Sequence, residues 1–426
     1  MPFQGFEGPA GTGKTHRLVE AVVALVGGRP LADHQRVLAL TFMHGSRRRL
    51  QERFMKVDQL RGRYVCMTID SFAAHLAHRW RSLADVLNTH VGDFNQTCDA
   101  CGCLLEQEQI AKWVAATYPV VVVDEAQELG VPRLRVVRAL APHLSLHVAA
   151  DEFQCLDENI DTAPFMAWFR TGRITPLVQV HRTAQQGLLD AGVALRNAAA
   201  PVDGPGLLIR YEFPAQMPFA IGHALNRARQ QGGTTALIVA PGSRPWANDL
   251  IPRLTHGLRS PNQVVPPLRI GWEARADDEV ERVLRGFGDA EPIPAGEILR
   301  HLAEVPDRPL WLPLCAKAVA HQRRVKAQEH WSFEALRELV TRKAALHRAY
   351  GYQQQTGIPI MTISGAKNRQ FRHVIVLWGP GVHGDADHQR RLLYNAITRA
   401  EVRCTAFVRT RALLAAPPFQ RDPGLA

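Results

Sequence analysis

The chain lacks a long hydrophobic run. In 426 residues no apolar stretch approaches the roughly 20 residues that span a bilayer. No membrane partner is therefore expected. The opening MPFQGFEGPAGTGKT has no basic stretch followed by an apolar one. No secretory leader is read there, and the expected address is the cytoplasm. Cysteines number seven, an odd count, and are scattered apart from one cluster, which argues against a disulfide framework. No internal repeat and no long low-complexity tract is present, which excludes a solenoid and a biased linker polymer. The 18 histidines show no HExxH pairing. Lysine is scarce: 7 of the 51 basic residues, against 44 arginines.

What is present is an ordinary globular balance, 46% hydrophobic and 21% charged, with a net charge of +11 and a pI near 9.7. The length suits two to four packed units. Arginine's planar fork suits phosphate, so the charge points to a nucleic-acid partner. An arginine-rich codon usage is the equal alternative. Short apolar runs alternate with helical stretches, which predicts parallel α/β units. Strands are expected at Val37–Thr41, Val120–Asp124, Leu146–Ala150, Thr235–Ala240, Ile360–Ile363 and His373–Trp378. Residues 198–206, AAAPVDGPG, read as a linker. The stretch from about 260 to 294 is rich in Pro, Gly and charge. A helical pattern returns at 331–350, with Ser332 placed to cap it and Glu334 close behind.

Gly8-Pro-Ala-Gly11-Thr-Gly13-Lys14-Thr15 has the spacing GxxxxGK[ST]. Glycines at those positions let a loop curl so that backbone N–H groups face phosphate oxygens. Lys14 would reach the β- and γ-phosphates, and the Thr15 hydroxyl would ligate Mg²⁺. The helix that starts there adds its positive end. Downstream, Val120–Val123 form an apolar strand ending in Asp124-Glu125. Asp124 is placed to hold Mg²⁺, and Glu125 to activate the attacking water.

The order of further motifs resembles the UvrD/Rep-like branch of superfamily 1 helicases. Leu38–Ser46 resembles that family's "LTFTNKAA" segment, Thr68-Ile-Asp-Ser71-Phe72 its "TIHSF", and Asp124–Glu128 its "DEAQD". Ala150–Gln154 is similar to "GDDDQ", and Leu177–Arg182 to the "L…NYR" element. Thr362–Phe371 resembles "TIHSAKGLEF", and Arg390–Ala400 matches "RRLLYVAITRA". The resemblance implies two RecA-like P-loop domains with parallel sheets, an α/β fold, each with a small insertion. It further implies catalytic roles for Glu125, Gln154, Arg182 and Arg399, with Arg399 as the arginine finger of the second half. Gly8, Gly11, Gly13, Lys14, Thr15, His181 and Gln370 would hold nucleotide, and Thr41, Phe42, Thr68, Ser71, Phe72, Ser364 and Lys367 would meet the strand. ATP and Mg²⁺ are the implied cofactors, and single-stranded nucleic acid, DNA before RNA, the implied partner.

The chain departs from the family at several points. Gln4 is too near residue 8 to stand in for the upstream adenine-reading glutamine. His181 replaces the stacking tyrosine. The family's Lys-Gly pair is Lys367-Asn368, and its "GLEF" glutamate is Gln370. The aromatic-rich segment after "DDDQ" is Cys155–Asn159, which removes a base-stacking tryptophan, with Trp168 lying further on. Boundaries are expected at 1–72 with 120–197 for the first RecA-like domain and 207–254 with 353–426 for the second. The insertions would be 73–119 and 255–352. Cys98-Asp-Ala-Cys101-Gly-Cys103 has zinc spacing, with His90 as fourth ligand; the alternative is three reduced thiols in a glycine turn. Two functions remain open: a 3′→5′ translocase or helicase stimulated by single-stranded DNA, and a sensor or regulatory ATPase partnering a nuclease, for example in phage defence. No nuclease constellation is visible. A non-enzymatic binding module fits poorly with intact Lys14, Thr15, Asp124, Glu125 and Arg399.

Overall fold

The structure is a computed structural model that describes residues 3–42, 44–273, 276–287, 292–306, 308–350 and 357–420. Among the described residues no helix is long and apolar enough to cross a membrane. The chain divides into two compact units, residues 1–271 with 357–426, and residues 272–356.

The first unit holds two six-stranded sheets. In the first, β1 (Gln4–Glu7), β2 (Val37–Thr41), β3 (Tyr64–Thr68), β4 (Val120–Asp124), β5 (Ser145–Ala150) and β6 (Arg173–Pro176) run in the order β3-β2-β4-β5-β1-β6. Every pairing is parallel. β2 and β4 are buried at all five positions, as parallel strands covered on both faces must be, which explains their unbroken apolar runs. β4, β5 and β1 are neighbours, so their carboxyl ends open on one crevice.

The second sheet contains β7 (Leu207–Arg210), β8 (Thr235–Val239), β9 (Ile270–Trp272), β10 (Ile358–Thr362), β11 (Phe371–Trp378) and β12 (Ala400–Val408), in the order β9-β10-β8-β11-β12-β7. The pairings from β10 through β7 are parallel. The α/β fold with two RecA-like parallel sheets is therefore the one expected. All six expected strands form: Val37–Thr41 and Val120–Asp124 as expected, the other four with one or both ends shifted by one or two residues. The strands not expected from the sequence include the edge strands β3, β6, β7 and β9 and the inner strands β1 and β12.

Each sheet has its own core. Helices Ile69–Arg79 and Phe94–Leu105 carry Phe72, Leu76, Cys98 and Cys101 into the core of the first sheet, beside Leu38, Leu40 and Val121. Helices Gln186–Arg196 and Ala386–Ile397 pack Leu188, Leu195, Leu392 and Leu393 onto the second. The unit 272–356 is mainly helical and has a separate core that includes Trp311, Cys315, Leu336 and Val340. Its helix Phe333–Tyr350 is capped as the sequence suggests, with Ala335 N donating to Ser332 Oγ at 3.2 Å.

Candidate nucleotide-binding site

The loop after β1 is shaped by Gly11 and Gly13, each at φ 85°, in the left-handed region that glycine enters without strain. Gly13 is the N-cap of helix α1, Lys14–Gly28. Lys14, 7% exposed, folds back over the loop. Its Nζ donates to Gly8 O at 2.7 Å and Pro9 O at 3.1 Å and stands 3.8 Å from the Asp151 carboxylate. The Thr15 hydroxyl donates to Asp124 Oδ2 at 2.8 Å. A hydroxyl and a carboxylate held this close are oxygen ligands of the kind Mg²⁺ takes, so the residues fit that ion.

Glu125 leaves the end of β4 at φ 57°, ψ 42°. A residue with a Cβ in that conformation carries a strain of about 1–3 kcal/mol, which persists where the surroundings impose it. Here the surroundings are Gln127, which is buried. Its Nε2 donates to Glu125 Oε2 at 2.8 Å, and its Oε1 accepts from Asp151 N at 3.0 Å. One amide thereby ties the ends of β4 and β5 and aims the Glu125 carboxylate. Asn368 also has a positive φ, 62°. Asparagine tolerates the left-handed region better than most residues with a side chain.

The second sheet closes the site. Arg399, 2% exposed, lies between helix Ala386–Ile397 and β12, and its Nε donates to Asn395 O at 2.8 Å. Arg182 Nη1 donates to Thr398 O at 2.6 Å. In the amide orientation that satisfies both groups, Gln370 accepts from Arg182 Nε and Nη2 at 2.8 and 3.1 Å. Tyr394 accepts from Ala10 N at 2.8 Å, joining the loop to the second sheet. The result is a cavity of about 690 Å³ lined by Lys14, Glu125, Gln154, Arg182 and Arg399, with Gly11, Gly13, Thr15, His181 and Gln370 also on its walls. Gly8 and Asp124 lie directly behind that wall, bonded to Lys14 and Thr15.

The cavity carries an excess of positive charge. Burial pushes Arg182 down to about 9, and Arg399 and Arg49 act in the same direction. Burial likewise pushes Arg399 down to about 10, with Glu125 opposing and Arg49 adding to it. Glu125 is the one carboxylate that opposes the shift of both guanidiniums, and a polyanion in the cavity would add further counter-charge. Burial and then the neighbouring Glu125 raise the Asp124 carboxyl. Burial also acts upward on Glu125, but Lys14, the Gln127 amide, Arg399 and Lys367 together outweigh it and hold that carboxyl low. A low value keeps Glu125 ionised and able to accept a proton.

Several of these residues are missed by sequence reasoning. Arg49 stands in a run of three arginines on helix His44–Met55, and only helical phase selects it as a lining residue. Gln127, Asp151 and Tyr394 sit inside recognised motifs, but their hydrogen-bond roles need coordinates. Asp151 is fully buried between Lys14 and Arg196, whose Nη1 donates to it at 2.6 Å.

The residues expected along a strand are more divided. Thr41 and Thr68 are buried at the ends of β2 and β3. Thr68 Oγ1 accepts from Ser71 N at 3.2 Å and lies 2.7 Å from the Ser71 hydroxyl. Phe72 belongs to the core. The Arg133 guanidinium stands 5.5 Å from the centre of the Phe42 ring. Ser364 is exposed. Lys367 is ion-paired with the buried Glu128. Trp168 stacks on Phe3 with ring centroids 4.3 Å apart.

The zinc reading of the cysteines requires correction. They lie on helix Phe94–Leu105, not in a turn. At about 100° per residue, Cys98 and Cys101 share the core-facing side while Cys103 points roughly 200° away from Cys101. Cys98 Sγ donates to Asp70 Oδ1 at 3.3 Å, and burial pushes its thiol up to about 12. His90 is exposed on the preceding loop. Among the described residues no three ligating side chains converge on a metal position.

Residues 357–406 match the family model of the UvrD-like helicase C-terminal domain, and residues 4–158 that of an AAA domain. No curated protein matches the chain. Solved structures similar to it include the arterivirus nonstructural protein 10 helicase in complex with DNA. That likeness has 11% identity and a TM-score of 0.40, covering 97% of this chain and 62% of that one. The same arterivirus helicase in a second crystal structure gives 10% identity and a TM-score of 0.40, with 96% and 59% covered. The chain thus spans about three-fifths of the length of those helicases.

Proposed function

We propose, from the premise that the chain is a UvrD-like member of helicase superfamily 1, that it hydrolyses ATP between its two sheets. We further propose that it uses the cycle to move along single-stranded DNA in the 3′→5′ direction. The matched domains support a nucleotide-hydrolysing enzyme of helicase or translocase type. The nucleotide's identity, the direction and stimulation by DNA are the proposal. The observation that carries it is convergence on one cavity. Lys14 and Glu125 come from the first sheet, Arg399 comes from the second, and Arg182 bonds across to it.

In this reading Lys14 leaves Gly8 O and Pro9 O for the β- and γ-phosphates. Thr15 and Asp124 hold Mg²⁺, which when bound neutralises phosphate charge. Glu125, kept ionised by the cations around it, takes the proton of the attacking water. Gln154 lies buried at the same cavity, placed to sense the γ-phosphate. Arg182 and Arg399 place positive charge where it develops during transfer. His181, beside Gly13, offers an imidazole face for the base. Because Arg182 bonds across to Thr398 O of the other half, loss of the γ-phosphate loosens the contact between the sheets, and a strand held by both halves shifts. The exposed Ser364 and half-buried Phe42 support a strand path better than the core-packed Phe72 does.

A second reading, a sensor ATPase working with a nuclease, is favoured by the compact inserted segments: helices 81–86, 94–105 and 108–117 in one, residues 272–356 in the other. The rate of phosphate release with and without single-stranded DNA or RNA, together with strand displacement on a tailed duplex, tests both. Stimulation by DNA with displacement supports the motor. Stimulation without movement supports the sensor. No hydrolysis, or hydrolysis unaffected by Lys14→Ala, removes both.

A further inference from the structure

The second sheet presents a second basic cavity, on its other face. Along β12, Cys404, Ala406 and Val408 face the core shared with helices Gln186–Arg196 and Ala386–Ile397. By the two-residue alternation of a strand, Arg403, Thr405 and Phe407 face the opposite way, as do Leu208 and Arg210 of β7. Helix Met217–Gln230 lies on that face. Its residues towards the sheet include Ala220, Ala224 and Ala228, spaced four apart so that they align on one side. Small side chains there leave a cavity of about 470 Å³ between helix and sheet, a volume within the range of small-molecule sites.

The lining is basic. Arg210, Arg227 and Arg403 border the cavity with His223 and His373, against one carboxylate, Glu212. Glu212 stands 3.8 Å from Arg210. Among the described residues Arg227 and Arg403 have no acidic partner. His373 is 2% exposed, and neither ring nitrogen makes a hydrogen bond of ordinary geometry. Arg210 and Arg227 are exposed and Arg403 half-buried, so the charges stand at the mouth of the cavity rather than in the core. Two guanidiniums facing one concave space without an acidic partner, Arg227 and Arg403, are the arrangement that recognises phosphate. Leu208, Ile375 and Phe407 supply an apolar floor.

We propose that this cavity binds a phosphorylated small molecule of about nucleotide size, at a site separate from the loop of residues 8–15. The phosphate would lie among Arg227, Arg403 and His373, with the apolar floor under the rest of the ligand. The site does not depend on the hydrolytic reading, since none of its residues lines the first cavity.

The test uses the full chain carrying Lys14→Ala, which removes the main phosphate contact of the first site. Calorimetric titration with inorganic pyrophosphate and with AMP should show one binding event. Arg403→Ala and, separately, the exposed Arg227→Ala should each weaken it about tenfold or more, the effect of losing one charged hydrogen-bond donor. Arg403→Lys should recover part of the loss. Arg227→Ala lies on a helix surface and guards against a folding defect at Arg403. The proposal is overturned if neither probe binds, or if binding ignores both arginine substitutions. It is equally overturned if only an oligothymidylate strand binds in an Arg403-dependent way, because the site would then belong to a phosphodiester backbone.

Discussion

Replacing Arg399 by alanine separates the catalytic reading of the cavity from a structural one. The guanidinium is 2% exposed and has Glu125 and Arg49 as charged neighbours. In the resting structure its hydrogen bonds go to Asn395, through Nε at 2.8 Å and Nη2 at 3.4 Å. Two costs follow from its removal. The first is local: Asn395 O loses a donor, worth about 1–3 kcal/mol of stability. Part of that is offset, because the cost of burying the guanidinium charge is also removed. A fall of a few degrees in Tm is therefore expected, with the fold retained. The second cost falls on the reaction. A preorganised donor aimed at developing charge contributes about 3–4 kcal/mol, which is about a hundredfold to a thousandfold in rate. Turnover should therefore drop by at least about a hundredfold while nucleotide affinity moves by less than about threefold, because the charge matters more to the transition state than to the ground state. Stimulation by single-stranded DNA should vanish with it, since the second half would no longer complete the site. Phosphate release at saturating nucleotide, nucleotide titration and a thermal melt on the same preparation measure the three quantities. A DNA-stimulated rate within a few-fold of the wild type, in a folded variant, refutes the assignment. A loss of affinity equal to the loss of turnover refutes the finger role and leaves a binding one.

Glu125→Gln should retain nucleotide binding and lose turnover, because the amide keeps the shape but cannot accept a proton; joint loss of both in a binding assay would make Glu125 a ligand. Lys367→Met and Glu128→Gln should each destabilise by about 3–5 kcal/mol, since each leaves a buried partner unpaired, and the double variant should lose less than their sum; urea unfolding of the four proteins gives the coupling, and strict additivity would mean that the pair is not joined. His147 in β5 is buried, and that burial pushes its imidazole from 6.5 down to about 4. The folded ring stays neutral while the unfolded one gains a proton, so the stability is whole above pH 6.5 and is lost as pH falls towards 4, by about 3 kcal/mol in all. His147→Leu should flatten Tm over that window, and an unchanged slope would show that other groups set it.

Much of the first sheet is legible without coordinates because its chemistry and its packing demand the same residues. Val37–Thr41 and Val120–Asp124 are unbroken apolar runs because both faces are covered. The glycines at 11 and 13 are required by a backbone of φ 85°, so the residue type announces the conformation. Lys14, Thr15 and Asp124 follow from that loop and strand by short-range geometry, and the ordered motifs indicate a second half to complete the site. The cysteines show the limit of spacing: a helix turns Cys103 away from the two thiols that a turn would have gathered with it. The Lys367–Glu128 pair, the bridge that Gln127 makes from Glu125 to Asp151, and the Tyr394 contact to Ala10 join positions that the sequence keeps unrelated. So do the arginines of the second cavity, which are 176 residues apart at Arg227 and Arg403. Local conformational preference and strand burial are written residue by residue, and the sequence by itself determined them here. Which charges meet across a cleft depends on how two sheets turn towards each other, and only the tertiary structure decided that.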